Sequence, residues 1–279
     1  TLTIAKAGSG SGSVSSSPAG INCGADCAEL VPYGAMLTLT ATPAGGSIFS
    51  GWSGGGCSGT GSCVVTITAA TTVTATFALA PFALTVSKAG TGAGTVTSSP
   101  AGINCGADCT EPYTNGTSVT LTATPTAGST FSGWSGGGCS GTGTCTTTIT
   151  AAITVTATFT LNTYPLGVTK AGTGAGTLTS SPGGISCGGT CSASFGHGTS
   201  VTLTAAPTAG STFAGWSGAG CSGTGTCAVT VTAAASVTAT FTLNTYTLGV
   251  TKAGTGSGTV TSSPGGISCG GTCSASFGH

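Results

Sequence analysis

The segment TSVTLTAT (117–124) alternates Val119, Leu121 and Ala123 with Ser118, Thr120, Thr122 and Thr124. The segment ITVTATF (153–159) does the same, setting Ile153, Val155, Ala157 and Phe159 against Thr154, Thr156 and Thr158. A period of two puts apolar side chains on one face of an extended chain and hydroxyls on the other, which predicts half-buried β-strands. Threonine is β-branched, so even the polar face favours strand without any need for charge. LTVSK (84–88), GTVTSS (94–99), STFSGW (129–134) and CTTTIT (145–150) are predicted as further strands, separated by Gly-rich turns such as AGTGAG (89–94). No stretch carries a helical apolar stripe. The predicted class is all-β, built from small, mainly antiparallel β-domains.

The pattern recurs. Cys23, Cys105, Cys187 and Cys269 are spaced 82 residues apart, and Trp52, Trp134 and Trp216 keep the same step. Such a period marks a tandem array, here with repeats expected at 1–80, 81–162 and 163–244 and a partial copy at 245–279. The partial copy stops at His279, the equivalent of His197, so more repeats are expected to follow. The junctions VTATFALAPFALTV (73–86) and VTATFTLNTYPLGV (155–168) contain no Gly/Ser linker. Short apolar joins predict neighbours that pack on each other in a stiff array, with roughly 30 Å contributed by each repeat.

Composition narrows the chemistry. Only 3% of residues are charged, with four Lys or Arg, four Asp or Glu and two His, against about a quarter charged in an ordinary soluble domain. There is no basic face for nucleic acid, and no apolar run is long enough to span a membrane. Lys6, Lys88, Lys170 and Lys252 share one position at the end of the first strand, where a charge discourages wrong strand pairing. Asp26, Glu29, Asp108 and Glu111 belong to the first two repeats and are replaced later by Thr190, Ala193, Thr272 and Ala275. His197 and His279 occur only in the later copies, so no repeat holds a carboxylate and a histidine together. Acid–base and triad chemistry therefore lack their parts, and no catalytic, cofactor-binding or metal residue is assigned. The GTGAG turn lacks the G-x-G-x-x-G spacing of a phosphate loop. A Lys88–Asn104 crosslink is disfavoured as a general device, because Ser186 replaces the Asn in the third repeat. Asn115-Gly116-Thr117 is one formal glycosylation sequon.

Each complete repeat has four cysteines, in a C-x3-C and a C-x5-C pair. These are Cys23, Cys27, Cys57 and Cys63, then Cys105, Cys109, Cys139 and Cys145, then Cys187, Cys191, Cys221 and Cys227, with Cys269 and Cys273 in the partial copy. Structural zinc prefers C-x2-C knuckles and covalent haem needs C-x-x-C-H, so two disulfides per repeat in an oxidising compartment fit better. Local pairing is the simplest assignment, with CGADC as a tight turn and CSGTGTC as a Gly-rich hairpin; spacing leaves crossed connectivities open. Trp52, Trp134 and Trp216, each in a GWSG context beside the C-x5-C loop, are the candidate binding residues, as sugar platforms. The alternative fate of each indole is to lid the small core, the commoner one for an aromatic.

The elements SSPAGINC, LTATP, FSGWSG and VTATF, in that order through LTVSKAGTGAGTVTSSPAGINCGADC, GTSVTLTATPTAGSTFSGWSGGGCSGTGTC and ITVTATF, resemble the divergent internalin B-type repeat, also called the bacterial repeat domain. The resemblance covers the whole chain. It implies a β-rich, β-grasp-like module found in tandem in secreted and surface proteins of bacteria, with no shared catalytic residues to carry over. The expected function is a non-enzymatic, extracellular rod, stalk or filament of disulfide-stapled repeats. The alternative is an adhesin segment that binds a glycan or a surface protein through the Trp and Gly loops. Low net charge permits self-association through strand edges or the threonine face.

Overall fold

The computed structural model describes the chain except residues 189, 190, 271 and 272, so Thr190 and Thr272 lie outside the described residues. The chain divides into two units, Thr1–Thr160 and Leu161–His279. All regular structure among the described residues is β.

In the first unit, the first repeat contains β1 (Leu2–Ala7), β2 (Gly12–Ser17), β3 (Ala28–Glu29), β4 (Met36–Pro43), β5 (Ser47–Ser53), β6 (Cys63–Thr66) and β7 (Thr71–Leu79). They form a four-stranded sheet in the order β3-β1-β7-β5 and a three-stranded sheet in the order β2-β4-β6. The second repeat follows the same plan with β8 (Pro81–Ala89), β9 (Gly94–Ser99), β10 (Thr110–Thr114), β11 (Ser118–Pro125), β12 (Ser129–Ser135), β13 (Cys145–Thr148) and β14 (Ile153–Leu161). Its sheets are ordered β10-β8-β14-β12 and β13-β11-β9. Consecutive strands thus alternate between the two sheets and never pair with each other.

The predicted strands are present, and their pairing is antiparallel except at the centre of each four-stranded sheet. There β1 runs parallel to β7 from Leu2↔Thr71 to Ala7↔Thr76, and β8 runs parallel to β14 from Leu84↔Ile153 to Ala89↔Thr158. β10 escapes a pattern-based reading because TEPYT has no alternation and contains Pro112. It lies at the sheet edge and pairs only with β8, where proline is tolerated because one side of the strand needs no ladder.

The apolar faces of both sheets meet in one core per repeat. In the second repeat Leu84 and Val86, Val96, Val119 and Leu121, and Val155, Ala157 and Phe159 come from four different strands and join a single buried cluster. Each such Val, Leu or Phe contributes about 1.5–3 kcal/mol on burial. The three-stranded sheet covers the inner face of the mixed sheet. Packing is close at Gly94, where an added Cβ would fall 2.2 Å from Cε1 of Phe159. The strand therefore lies directly on the ring, and only glycine fits.

Successive repeats within the first unit meet at a small joint. The Ala80 N–H donates to the Gly46 carbonyl at 2.9 Å, and the Asn115 N–H donates to the Ala80 carbonyl at 2.8 Å. Gly46 has a φ of +74°, and a Cβ there would lie 2.0 Å from the Asn115 side-chain nitrogen.

The second unit repeats the plan with β15 (Thr163–Ala171), β16 (Gly176–Ser181), β17 (Ser192–Gly196), β18 (Thr199–Pro207), β19 (Ser211–Ser217), β20 (Cys227–Val231) and β21 (Ala235–Leu243). The partial copy supplies β22 (Thr245–Gly249), paired with β23 (Ser274–Gly278). Its Leu248 is 53% exposed, whereas the equivalent Leu166 is fully buried beneath the parallel β15/β21 pair. The joint recurs here: the Asn244 N–H donates to the Gly210 carbonyl and the His279 N–H to the Asn244 carbonyl.

Candidate functional site

Because consecutive strands change sheet within a complete repeat, each connection there is an arch between two layers, and two of these arches carry the cysteines. Between β2 and β3, Cys23 is bonded to Cys27 with a Cα–Cα distance of 4.2 Å. The Cys23 N–H donates to Val14 of β2, while the Cys27 carbonyl accepts from Ile4 of β1, so the bridge ties one sheet to the other. Between β5 and β6, Cys57 is bonded to Cys63 at a Cα–Cα distance of 5.5 Å. The pairs Cys105–Cys109, Cys139–Cys145, Cys187–Cys191, Cys221–Cys227 and Cys269–Cys273 repeat these local links. The expected C-x5-C hairpin is corrected: β5 and β6 lie in different sheets, so the glycines carry an arch rather than a two-strand turn.

The tryptophan belongs to the same arch. Trp134 lies near the end of β12, 5% exposed, with Phe131 edge-on at 4.9 Å and Phe131 in turn 5.3 Å from Phe159. Its backbone N–H donates to Gly141 at 2.9 Å and its indole Nε1–H donates to Gly143 at 2.7 Å, both within the disulfide loop. Trp52 and Trp216 are equally buried and donate their Nε1–H groups to Gly61 and Gly225 at the same 2.7 Å. Each indole thus satisfies its polar edge inward and presents almost no face to solvent.

The ionisable groups serve the arches as well. Lys6, Lys88 and Lys170 reach back across the first arch to the carbonyls of Gly12, Gly94 and Gly176 at 3.2–3.3 Å. Lys252 reaches Gly258 and Cys269 in the partial copy. Asp26 and Asp108 accept from the N–H groups of Ala28 and Thr110, closing side-chain turns after the C-x3-C pair. His197 stacks edge-on near Tyr164 and its Nδ1 is buried without a hydrogen-bond partner. Asn115 and His279 occupy the joints described above. Among the described residues no group of His, Cys, Asp and Glu is placed to share a metal ion. In the first repeat Leu30 (81% exposed) and Met36 (63% exposed) line a shallow depression with Pro18, and Tyr33 nearby is 83% exposed.

Residue patterns expose the cysteines and tryptophans but not the lysine-to-glycine bridges or the joint position. The only signal for that position was its recurrence, as Tyr33, Asn115, His197 and His279, at the 82-residue step.

Alternating arches, two of them stapled, over a shared core define a tandem all-β repeat protein. The chain matches the Divergent InlB B-repeat domain over residues 2–81, 84–163 and 167–245, and it belongs to that family. No curated protein shows a significant match to it. Among solved structures it is similar to the Bacillus anthracis TIE protein, with 10% identity and a TM-score of 0.51 over 87% of this chain and 49% of that one. The chain spans about half the length of that protein, and at this identity the likeness is one of fold. The major pilin protein (T-13) of Streptococcus pyogenes aligns with 10% identity and a TM-score of 0.26, over 58% of this chain and 96% of that one. The pilus adhesin SpaC of Lactobacillus rhamnosus GG aligns with 10% identity and a TM-score of 0.31, over 87% and 44%.

Proposed function

We propose that the chain is a non-enzymatic structural segment of an extracellular rod, stalk or filament on a bacterial surface. The observation that carries this reading is the self-sufficiency of each complete repeat. It closes its own core and two disulfides, then passes through one residue, as at Ala80, into the first strand of the next. The density of disulfides supports an oxidising location outside the cytoplasm. The scarcity of charge supports a surface that responds little to salt. Trp52, Trp134 and Trp216 are core residues in this reading, so a glycan or surface-protein contact falls to exposed groups such as Leu30, Tyr33 and Met36.

Electron microscopy of the oxidised chain, and of versions with added repeats, tests the proposal. Straight particles whose length grows in proportion to repeat number are expected. Slack, freely bending strings of beads would overturn it.

A further inference from the structure

In every complete repeat the first and last strands are neighbours, and they run parallel. The register holds over six residue pairs in each case, Leu2–Ala7 on Thr71–Thr76, Leu84–Ala89 on Ile153–Thr158 and Leu166–Ala171 on Ala235–Thr240. The chain enters the first repeat at Leu2, beside Thr71, and leaves past Leu79, beyond the Ala7↔Thr76 pair. Entry and exit are thus at opposite ends of one ladder. Tension along the chain slides the two strands past each other, so the evenly spaced bonds of a parallel pair are loaded together. An antiparallel terminal pair would place both ends at one edge and would peel open bond by bond.

Three features tighten this grip. Leu2, Ile4, Val73, Ala75 and Phe77 are buried under the pair, so sliding also has to drag interdigitated side chains through the core. The arch after β1 folds back over the end of β7: the Gly10 N–H donates to the Phe77 carbonyl at 3.0 Å, and Gly92 and Gly174 repeat the bond to Phe159 and Phe241. Only Ala80 separates β7 from β8, so load leaving one pair reaches the next without slack. The disulfides, in contrast, close loops between the two terminal strands, at separations of 4 and 6 residues. They are loaded only after the pair has parted, and then they limit how far the repeat extends.

We propose that each repeat is a shear clamp that bears tension along the chain, with the two staples as stops behind it. The structural reading above supplies the source of the tension; the clamp itself follows from topology and is tested by applying the load directly. In single-molecule force spectroscopy of the full oxidised chain, pulling between the termini is expected to give a ladder of ruptures of similar force, one per complete repeat. Moving the second handle to Ala70, on the loop just before β7, makes the same β1/β7 pair unzip from its Leu2↔Thr71 end. The force for the first repeat should then fall several-fold. Equal forces in the two geometries, or end-to-end ruptures as weak as the unzipping, would overturn the clamp and leave the imaging test of the rod untouched. Each oxidised step should also fall about 25 Å short of a fully released repeat, since the residues inside the two closed loops are replaced by bridge spans of 4.2 and 5.5 Å. Full-length steps at the first rupture would overturn the placement of the stops.

Discussion

At Trp134 one side chain performs two tasks, filling the core beside Phe131 and holding the disulfide loop through its bond to Gly143. The two separate by substitution. Trp134→Phe keeps an aromatic ring but strands the Gly143 carbonyl, at a cost of about 1–2 kcal/mol. Trp134→Ala also empties the space under the arch, and about 3–5 kcal/mol is expected to be lost. Urea unfolding followed by far-UV circular dichroism checks the order, and equal losses would mean that the ring does not fill the core. A GWSG motif beside a cysteine loop announces an aromatic of consequence. Whether the indole faces inward or outward depends on a carbonyl nine residues further along the chain meeting its N–H, and a one-dimensional pattern does not contain that approach.

Among the elements, the strands were largely legible and their connections were not. Alternation in TSVTLTAT and ITVTATF marks β11 and β14 because one side of each is buried. The edge strand β10 has one neighbour and a proline, so it leaves no such trace. The C-x5-C segment suggests a hairpin because glycine-rich connections usually join paired strands, yet every connection within a complete repeat is an arch. That makes the staples sheet-to-sheet ties with a definite cost of removal. Replacing Cys139 and Cys145 together by Ala should lower stability by about 2 kcal/mol in the chain-entropy account of short loops. Peptide mapping of the unreduced protein should recover Cys105 with Cys109 and Cys139 with Cys145; crossed pairs would contradict the arches.

Across the whole chain, each complete repeat keeps a buried cluster of its own, around Phe77, Phe159 and Phe241. Damage to one cluster should therefore stay local. Leu121→Ala, in the fully buried centre of the second repeat, is expected to cost that repeat about 2–5 kcal/mol. Each complete repeat has one tryptophan, so fluorescence should show an earlier step carrying only the Trp134 share of the signal. A single shifted transition for all three indoles would instead mean that the repeats unfold as one body. Joints such as Ala80 with Gly46 and Asn115 consist of a few backbone bonds, which favours the first outcome.

Residue spacing alone revealed most strands, their buried faces and the 82-residue recurrence, because each of these is a property of neighbours along the chain, whereas the choice of local over crossed cysteine pairs came only with the fold. The alternation of Val, Ala and Phe with Thr tells which side of β14 is dry, but any strand with a matching dry side would satisfy it. That β14 lies parallel to β8, with β12 on its other flank, follows only when two sheets must close over one core while the chain steps from layer to layer. The inward indole, the arches and the parallel terminal pair all depend on that closure, and none of them exists until distant segments meet.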